Sequence, residues 1–147
     1  MSYSVDANLL LYASNQDCPE HQRAIQFLER CGRERELLCV AWPTVMAYLR
    51  IATHPAIFPA PLTPKEAQDN ITALLHLDHV RAIGERDGFW EMYSELATAA
   101  PTRGNDVPDL HLATILKQND VTTLFTNDSD FRRFGFLRVR NPLVEDE

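Results

Sequence analysis

Asp6 follows Tyr3-Ser-Val5, Asp128 follows Leu124-Phe125-Thr126, Asp109 stands in Pro108-Asp-Leu-His-Leu-Ala113, and Asp130 comes two residues after Asp128. Carboxylates from distant segments that converge on one crevice repel one another unless a cation neutralises them. An all-oxygen set of this kind suits Mg²⁺ or Mn²⁺, because no Cys/His ligand spacing that would attract zinc accompanies it. Each acid also has a plain structural reading. Asp106 and Asp109 have capping-box spacing and would complement a helix dipole, and Asn127-Asp-Ser-Asp130 is turn chemistry. What favours the chemical reading is that three separate segments each bring a carboxylate to the same rim.

Other chemistries find less support. A calcium loop starting at Asp128 would put Arg133 where glycine is needed and Val139 where the bidentate glutamate is needed. His76-Leu-Asp-His79 has i,i+3 spacing but no third zinc ligand in view. Ser4 and Ser14 lack a G-x-S-x-G context, and with 5 glycines in all no Gly-rich loop is available to cradle phosphate. A phosphoacceptor receiver domain needs a lysine at a late strand end, and neither Lys65 nor Lys117 sits at one.

The elements that must position these acids alternate. Tyr3–Asp6 reads as a short strand running into a helical stretch over Ala7–Ala13. Asp17 and Glu20 have capping-box spacing ahead of a helix whose buried face is Ala24, Phe27, Leu28 and Cys31. Leu37–Val40 is a strand, and a helix runs from about Thr44 to Thr53. His54–Pro64 holds Pro55, Pro59, Pro61 and Pro64 and reads as an extended connection. Thr63 with Glu66 starts a helix bearing Ile71, Leu74, Leu75 and Leu77. Val80–Ile83 is a strand; Asp87–Ala100 is a helix with Phe89, Trp90, Tyr93, Leu96 and Ala97 as apolar positions. Asp106 caps a helix over Val107–Gln118, Val121–Thr126 is a buried strand, and Phe136–Val139 is a weaker one. Short apolar strands alternating with helices imply βαβ units and a parallel sheet with helices on both faces, hence an α/β fold. In such a sheet, functional groups gather outside the carboxyl ends of the strands, where Asp6 and Asp128 fall.

Composition bounds the answer. At 147 residues, 45% of them hydrophobic, one domain with its own core is expected over 1–147, with 143–147 as an acidic tail. The formal charge of -7 argues against a simple electrostatic nucleic-acid binder. No apolar run approaches the ~20 residues of a membrane span. Cys18, Cys31 and Cys39 suit free thiols in a reducing cytoplasm. Twelve of the 14 basic residues are Arg, which favours bidentate recognition of phosphate or carboxylate.

Val5-Asp-Ala-Asn-Leu-Leu-Leu-Tyr-Ala13, Pro108-Asp-Leu-His-Leu-Ala113, Thr126-Asn-Asp-Ser-Asp-Phe131 and Asn141-Pro-Leu143 together resemble the PIN domain. More narrowly, they resemble the VapC-type toxins of bacterial toxin–antitoxin pairs. Trp42-Pro43 and Tyr48-Leu-Arg-Ile-Ala-Thr-His-Pro55 are in the style of one subgroup. The resemblance runs from the first strand to the last, and it is carried by the order and spacing of the motifs.

That resemblance implies an α/β/α sandwich with a mostly parallel central sheet. It also implies a Mg²⁺-dependent endoribonuclease, with Mn²⁺ as an alternative ion, that is a homodimer held inactive by a VapB-type antitoxin. Position by position, Asp6 matches the family's first acid, Asp109 the third, Asp128 the fourth and Asp130 an auxiliary one, with Asp6, Asp109 and Asp128 as metal ligands. The second acid, a Glu in E-x-x-R, has no match: Ala47 stands three residues before Arg50. The site is expected to work with Asp6, Asp109, Asp128 and Asp130; the alternative is that Asp106 or Glu91 substitutes. The remaining option is a catalytically weak module that binds antitoxin or RNA without cleaving. Asn8 and Thr126 are candidates to orient the ligands, and RNA contact would fall to Arg50, Arg132 and Arg133, with Arg138 and Arg140 nearby.

Overall fold

The computed structural model describes residues 2–144; the expected solvated segment Glu145–Glu147 lies outside the described residues. Five parallel strands form one sheet: β1 (Ser2–Val5), β2 (Leu37–Ala41), β3 (Val80–Ile83), β4 (Thr123–Phe125) and β5 (Arg138–Arg140), in the order β3-β2-β1-β4-β5. The helices are α1 (Ala7–Ala13), α2 (His21–Arg33), α3 (Trp42–Ala52), α4 (Pro64–Leu75), α5 (Phe89–Ala99) and α6 (Asp106–Gln118), followed by a 3₁₀ turn over Ser129–Arg133.

The sheet is buried on both faces, as an all-parallel sheet must be. One core gathers Val5, Leu9, Phe27, Val40, Val45 and Ile71 between the sheet and α1–α4. The other gathers Ala41, Leu110, Ala113, Leu116, Leu124 and Phe131 under α6 and the 3₁₀ turn, with α5 packed outside it. Alternation along the strands does this sorting, since successive side chains point to opposite faces. Leu143 is buried in the first core, so the chain is still packed at the residue expected to begin the tail.

Several local expectations shift for identifiable reasons. Glu20 caps α2 without a side-chain bond, and Asp17 plays no capping part: its own amide is held by Asn15 Oδ1 at 3.2 Å. Asp106 is the first residue of α6, and Asn105 is the cap, again without a side-chain bond. Val121 is fully buried, but its amide donates to Leu116 O at 2.9 Å and closes the end of α6, so the ladder of β4 begins only at Thr123. Asp120, at φ 57°, takes the left-handed conformation that lets the chain leave that helix. The last strand starts at Arg138 because its partners, Thr123 to Phe125, set the register. The 54–63 connection contains compact turns, with the Phe58 amide donating to His54 O at 2.9 Å and the Phe58 ring buried. On α5 Trp90 is 67% exposed and stacked on Tyr93, and on α3 Trp42 is 44% exposed, so neither ring belongs to the core. The Thr63/Glu66 capping box and the alternating element order are as expected.

The strand order creates the site's location. From β1 the chain builds outward to β2 and β3, then returns to the opposite side of β1 to lay down β4 and β5. The connections leaving β1 and β4 therefore diverge, opening a crevice at their carboxyl ends, which is where such sheets place ligands.

Candidate active site

Asp6 is the residue at which β1 ends. Its backbone is still extended, with φ -87° and ψ 158°, and its amide donates to Phe125 O at 2.9 Å, so the β1–β4 pairing reaches it. It also caps α1: Oδ1 accepts from the Ala7 amide at 2.7 Å. Oδ2 accepts from the Thr126 hydroxyl at 2.8 Å. Burial raises the carboxyl's pKa, the bonds from Thr126 and Ala7 pull it down, and the nearby Asp128 pushes it up again.

Thr126, one residue beyond β4 and 1% exposed, is the hub. Its hydrogen goes to Asp6, so its lone pairs are left to accept, and they do so from Asn8 Nδ2 at 3.2 Å and from the Asp128 amide at 3.0 Å. That bond fixes the Asn8 amide with its nitrogen toward Thr126. Asn8 Oδ1 is then buried with no hydrogen-bond partner.

Asp128 caps the 3₁₀ turn, with Oδ1 accepting from the Asp130 amide at 2.9 Å. The turn chemistry of this segment is therefore real, and it orients the carboxylate. Asp109 reaches the group from the first turn of α6. Burial raises its pKa first, contact with Arg133 lowers it, and Asp128 and Asp6 raise it further. Asp128 thus acts as a like charge on both Asp6 and Asp109, and Asp6 acts on Asp109 as well.

Arg133 closes the arrangement. Its Nη2 lies 3.4 Å from Asp109 Oδ2 and 3.5 Å from Asp106 Oδ1, and its Nη1 donates to the Asp130 carbonyl at 2.9 Å. Asp130 joins the group through its backbone, giving its amide to Asp128 and its carbonyl to Arg133. Among the described residues Arg50 and Arg132 form no ion pair with these acids, and α3 contains no acidic residue to stand in for the glutamate absent at Ala47. Of the two possible substitutes, Asp106 is brought beside Asp109 through Arg133, and Glu91 lies in the first turn of α5.

The donor chemistry fits a hard divalent cation: three mutually repelling carboxylates and a buried amide oxygen without a donor, all oxygen. Among the described residues no three such side chains are already gathered into a ligand cluster, Arg133 partly filling the role of counter-charge. His76 and His79 form no metal group either; His79 Nε2 instead meets Cys31 O at 2.8 Å.

Two contacts have no counterpart in the sequence motifs. Asn127 donates to the Tyr12 hydroxyl at 3.0 Å and accepts from Asn141 Nδ2 at 2.8 Å, linking α1, the β4 end and the β5 end along the same rim. The sharing of Arg133 by Asp106 and Asp109 is the other; only the i,i+3 spacing of the two acids hints at it.

Residues 3–137 match the model of the PIN domain. The chain is 37% identical over 142 residues to Ribonuclease VapC48 of Mycobacterium tuberculosis, covering 97% of this chain and 98% of the relative. It is 32% identical over 139 residues to VapC ribonuclease Mb2897 of Mycobacterium bovis, covering 95% and 94%. Among solved structures, Mycobacterium tuberculosis VapC20, described as a Sarcin-Ricin loop cleaving toxin, superposes with a TM-score of 0.68 at 14% identity over 94% of this chain and 98% of that one. VapBC2 from Rickettsia felis bound to a promoter DNA fragment gives a TM-score of 0.67 at 19% identity, over 96% and 98%. At those identities the structural likeness is one of fold.

Proposed function

The chain belongs to the PIN-domain family, and from that premise we propose that it is an endoribonuclease toxin, dependent on Mg²⁺ or Mn²⁺ and neutralised by a cognate VapB-type antitoxin. The observation that carries the reading is the Thr126 bridge, which locks Asp6 to the segment bearing Asp128 at the place where the sheet opens.

Asp6, Asp109 and Asp128 would hold the cation, with Asn8 Oδ1 within the same network. When bound, such an ion offsets the charge of a phosphodiester and acidifies a water. The rest falls to the chain. Thr126 and the Ala7 amide fix both oxygens of Asp6, so the carboxylate is pre-oriented before substrate arrives. Asp130 holds Asp128 and Arg133 through its backbone. Arg132 and Arg133, on the 3₁₀ turn beside the acids, would take the RNA phosphates. Arg50, on α3, would meet RNA only farther from the acids it does not touch. The net charge of -7 is consistent with this, since a cation at the site supplies positive charge where the phosphate must sit.

Cleavage of RNA with Mg²⁺ or Mn²⁺ by the native chain against Asp6→Asn tests the reading. Loss of cleavage in the variant is expected. Equal activity, or no activity with any divalent ion, would leave a PIN fold that binds RNA or antitoxin without cutting. Growth inhibition on expression, relieved by co-expressing the adjacent small open reading frame, tests the antitoxin. The homodimer is part of the same reading; the exposed Trp42, Met46 and Trp90 offer apolar surface for it, and the mass in solution decides.

A further inference from the structure

We propose that Arg133 is a displaceable internal counter-ion: it leans on Asp109 while that carboxylate has no other cation, and withdraws onto Asp106 when it does. This rests on the reading of Asp6, Asp109 and Asp128 as an oxygen-donor set and adds a competitor built into the chain.

One nitrogen is shared between two acids. Nη2 is 3.4 Å from Asp109 and 3.5 Å from Asp106, and both distances exceed the 2.7–2.9 Å of a full charge-assisted hydrogen bond. The two acids stand one turn apart on α6, the inner Asp109 side chain 22% exposed and the outer Asp106 43%. The guanidinium is anchored elsewhere. Nη1 donates to Asp130 O at 2.9 Å, and the guanidinium carbon lies 4.5 Å from the centroid of the Phe134 ring. Arg133 can therefore give up Asp109 without losing its seat.

Electrostatics supplies the reason for the contact. Asp6 and Asp128 both act on Asp109 as like charges, and Arg133 is the cation that offsets them. While it does so, it stabilises the crevice and competes for the same oxygen that a divalent ion would use. Once Asp109 turns to such an ion, Arg133 is retained by Asp106 just outside the carboxylates, with Nη1 still on the Asp130 carbonyl. Asp106 thereby gains a role that none of the three crevice carboxylates has: it is the outer seat.

Calorimetric titration of the full chain with Mn²⁺ alone, without RNA, tests this. Arg133→Ala is expected to bind Mn²⁺ roughly fivefold tighter than the native chain, the worth of one partly exposed ion pair. It should also melt lower in chelator, with the gap closing at saturating Mn²⁺. Asp106→Asn, which removes the outer seat, is expected to bind Mn²⁺ more weakly than the native chain. Asp6→Asn is the control that loses binding. Equal or weaker affinity in Arg133→Ala while Asp6→Asn still loses binding overturns the counter-ion and leaves the donor set standing. No Mn²⁺ binding by any form overturns both.

Discussion

Thr126 donates its hydroxyl hydrogen to Asp6 Oδ2 at 2.8 Å across 120 positions of sequence, and the same hydroxyl oxygen accepts from Asn8 and from the Asp128 amide. Replacing it by valine keeps the shape and deletes every one of these bonds. Thr126→Val should cost about 2–3 kcal/mol, because donors in a buried site are left without an acceptor. Denaturant unfolding measures that loss. RNA cleavage should fall with it, and Thr126→Ser should restore most of both.

Asp6 also predicts a dependence on pH. Its folded pKa lies above the ordinary 3.8, chiefly through burial. A carboxyl so raised binds its proton more readily when folded, so stability falls as pH rises from 3.8 through the folded value, and the penalty is fully present above that value. Asp6→Asn removes the charge. Its stability relative to the native chain should therefore be better at neutral pH than at pH 3.8, in the absence of divalent ions. Thermal melts across that range check the sign; a difference that does not change with pH refutes it.

The cysteines should divide by reactivity. Burial pushes the Cys31 thiol up to about 11 and raises that of Cys39, and both are buried, whereas Cys18 is half-buried. Only the thiolate attacks an alkylating reagent. Iodoacetamide should mark Cys18 in the native protein and reach Cys31 and Cys39 only on unfolding, as peptide mass mapping would show.

At α4 the capping box is complete: Thr63 Oγ1 accepts from the Glu66 amide at 3.1 Å and Glu66 Oε1 from the Thr63 amide at 2.9 Å. Thr63→Ala should cost about 1 kcal/mol, the usual worth of a cap, visible as a lower urea midpoint with unchanged slope.

How much of this is legible in the chain depends on range. The Thr63 box, the buried alternation of Val5 and the β-branched run before Asp128 are local signals, and the elements they announce are present. The crevice can be anticipated because Asp6 and Asp128 each follow an apolar strand. Boundaries move where tertiary demands win: Val121 looks like strand, yet its amide is consumed by the end of α6, and Asp17 has the spacing of a cap while its amide is tied to Asn15. Trp90 looks like core at its helical position and is exposed. Arg133 is visibly basic and near the acids in sequence, but no spacing rule tells that it touches Asp106 and Asp109, because that meeting joins α6 to a turn 24 residues later. Asp130 is a candidate by virtue of its carboxylate, and no spacing rule tells that its peptide groups also bond Asp128 and Arg133.

The order β3-β2-β1-β4-β5 has a consequence for the life of the chain during synthesis. Asp6 leaves the ribosome first, yet its partner strand β4 begins only at Thr123. Until that strand has emerged and docked, Thr126 cannot hold Asp6, and Asp128 cannot face Asp109. The bond between Thr126 and Asp6 therefore closes only after the 120 positions between them have been made. The same long-range closure makes the fold slow to assemble relative to one built from local contacts.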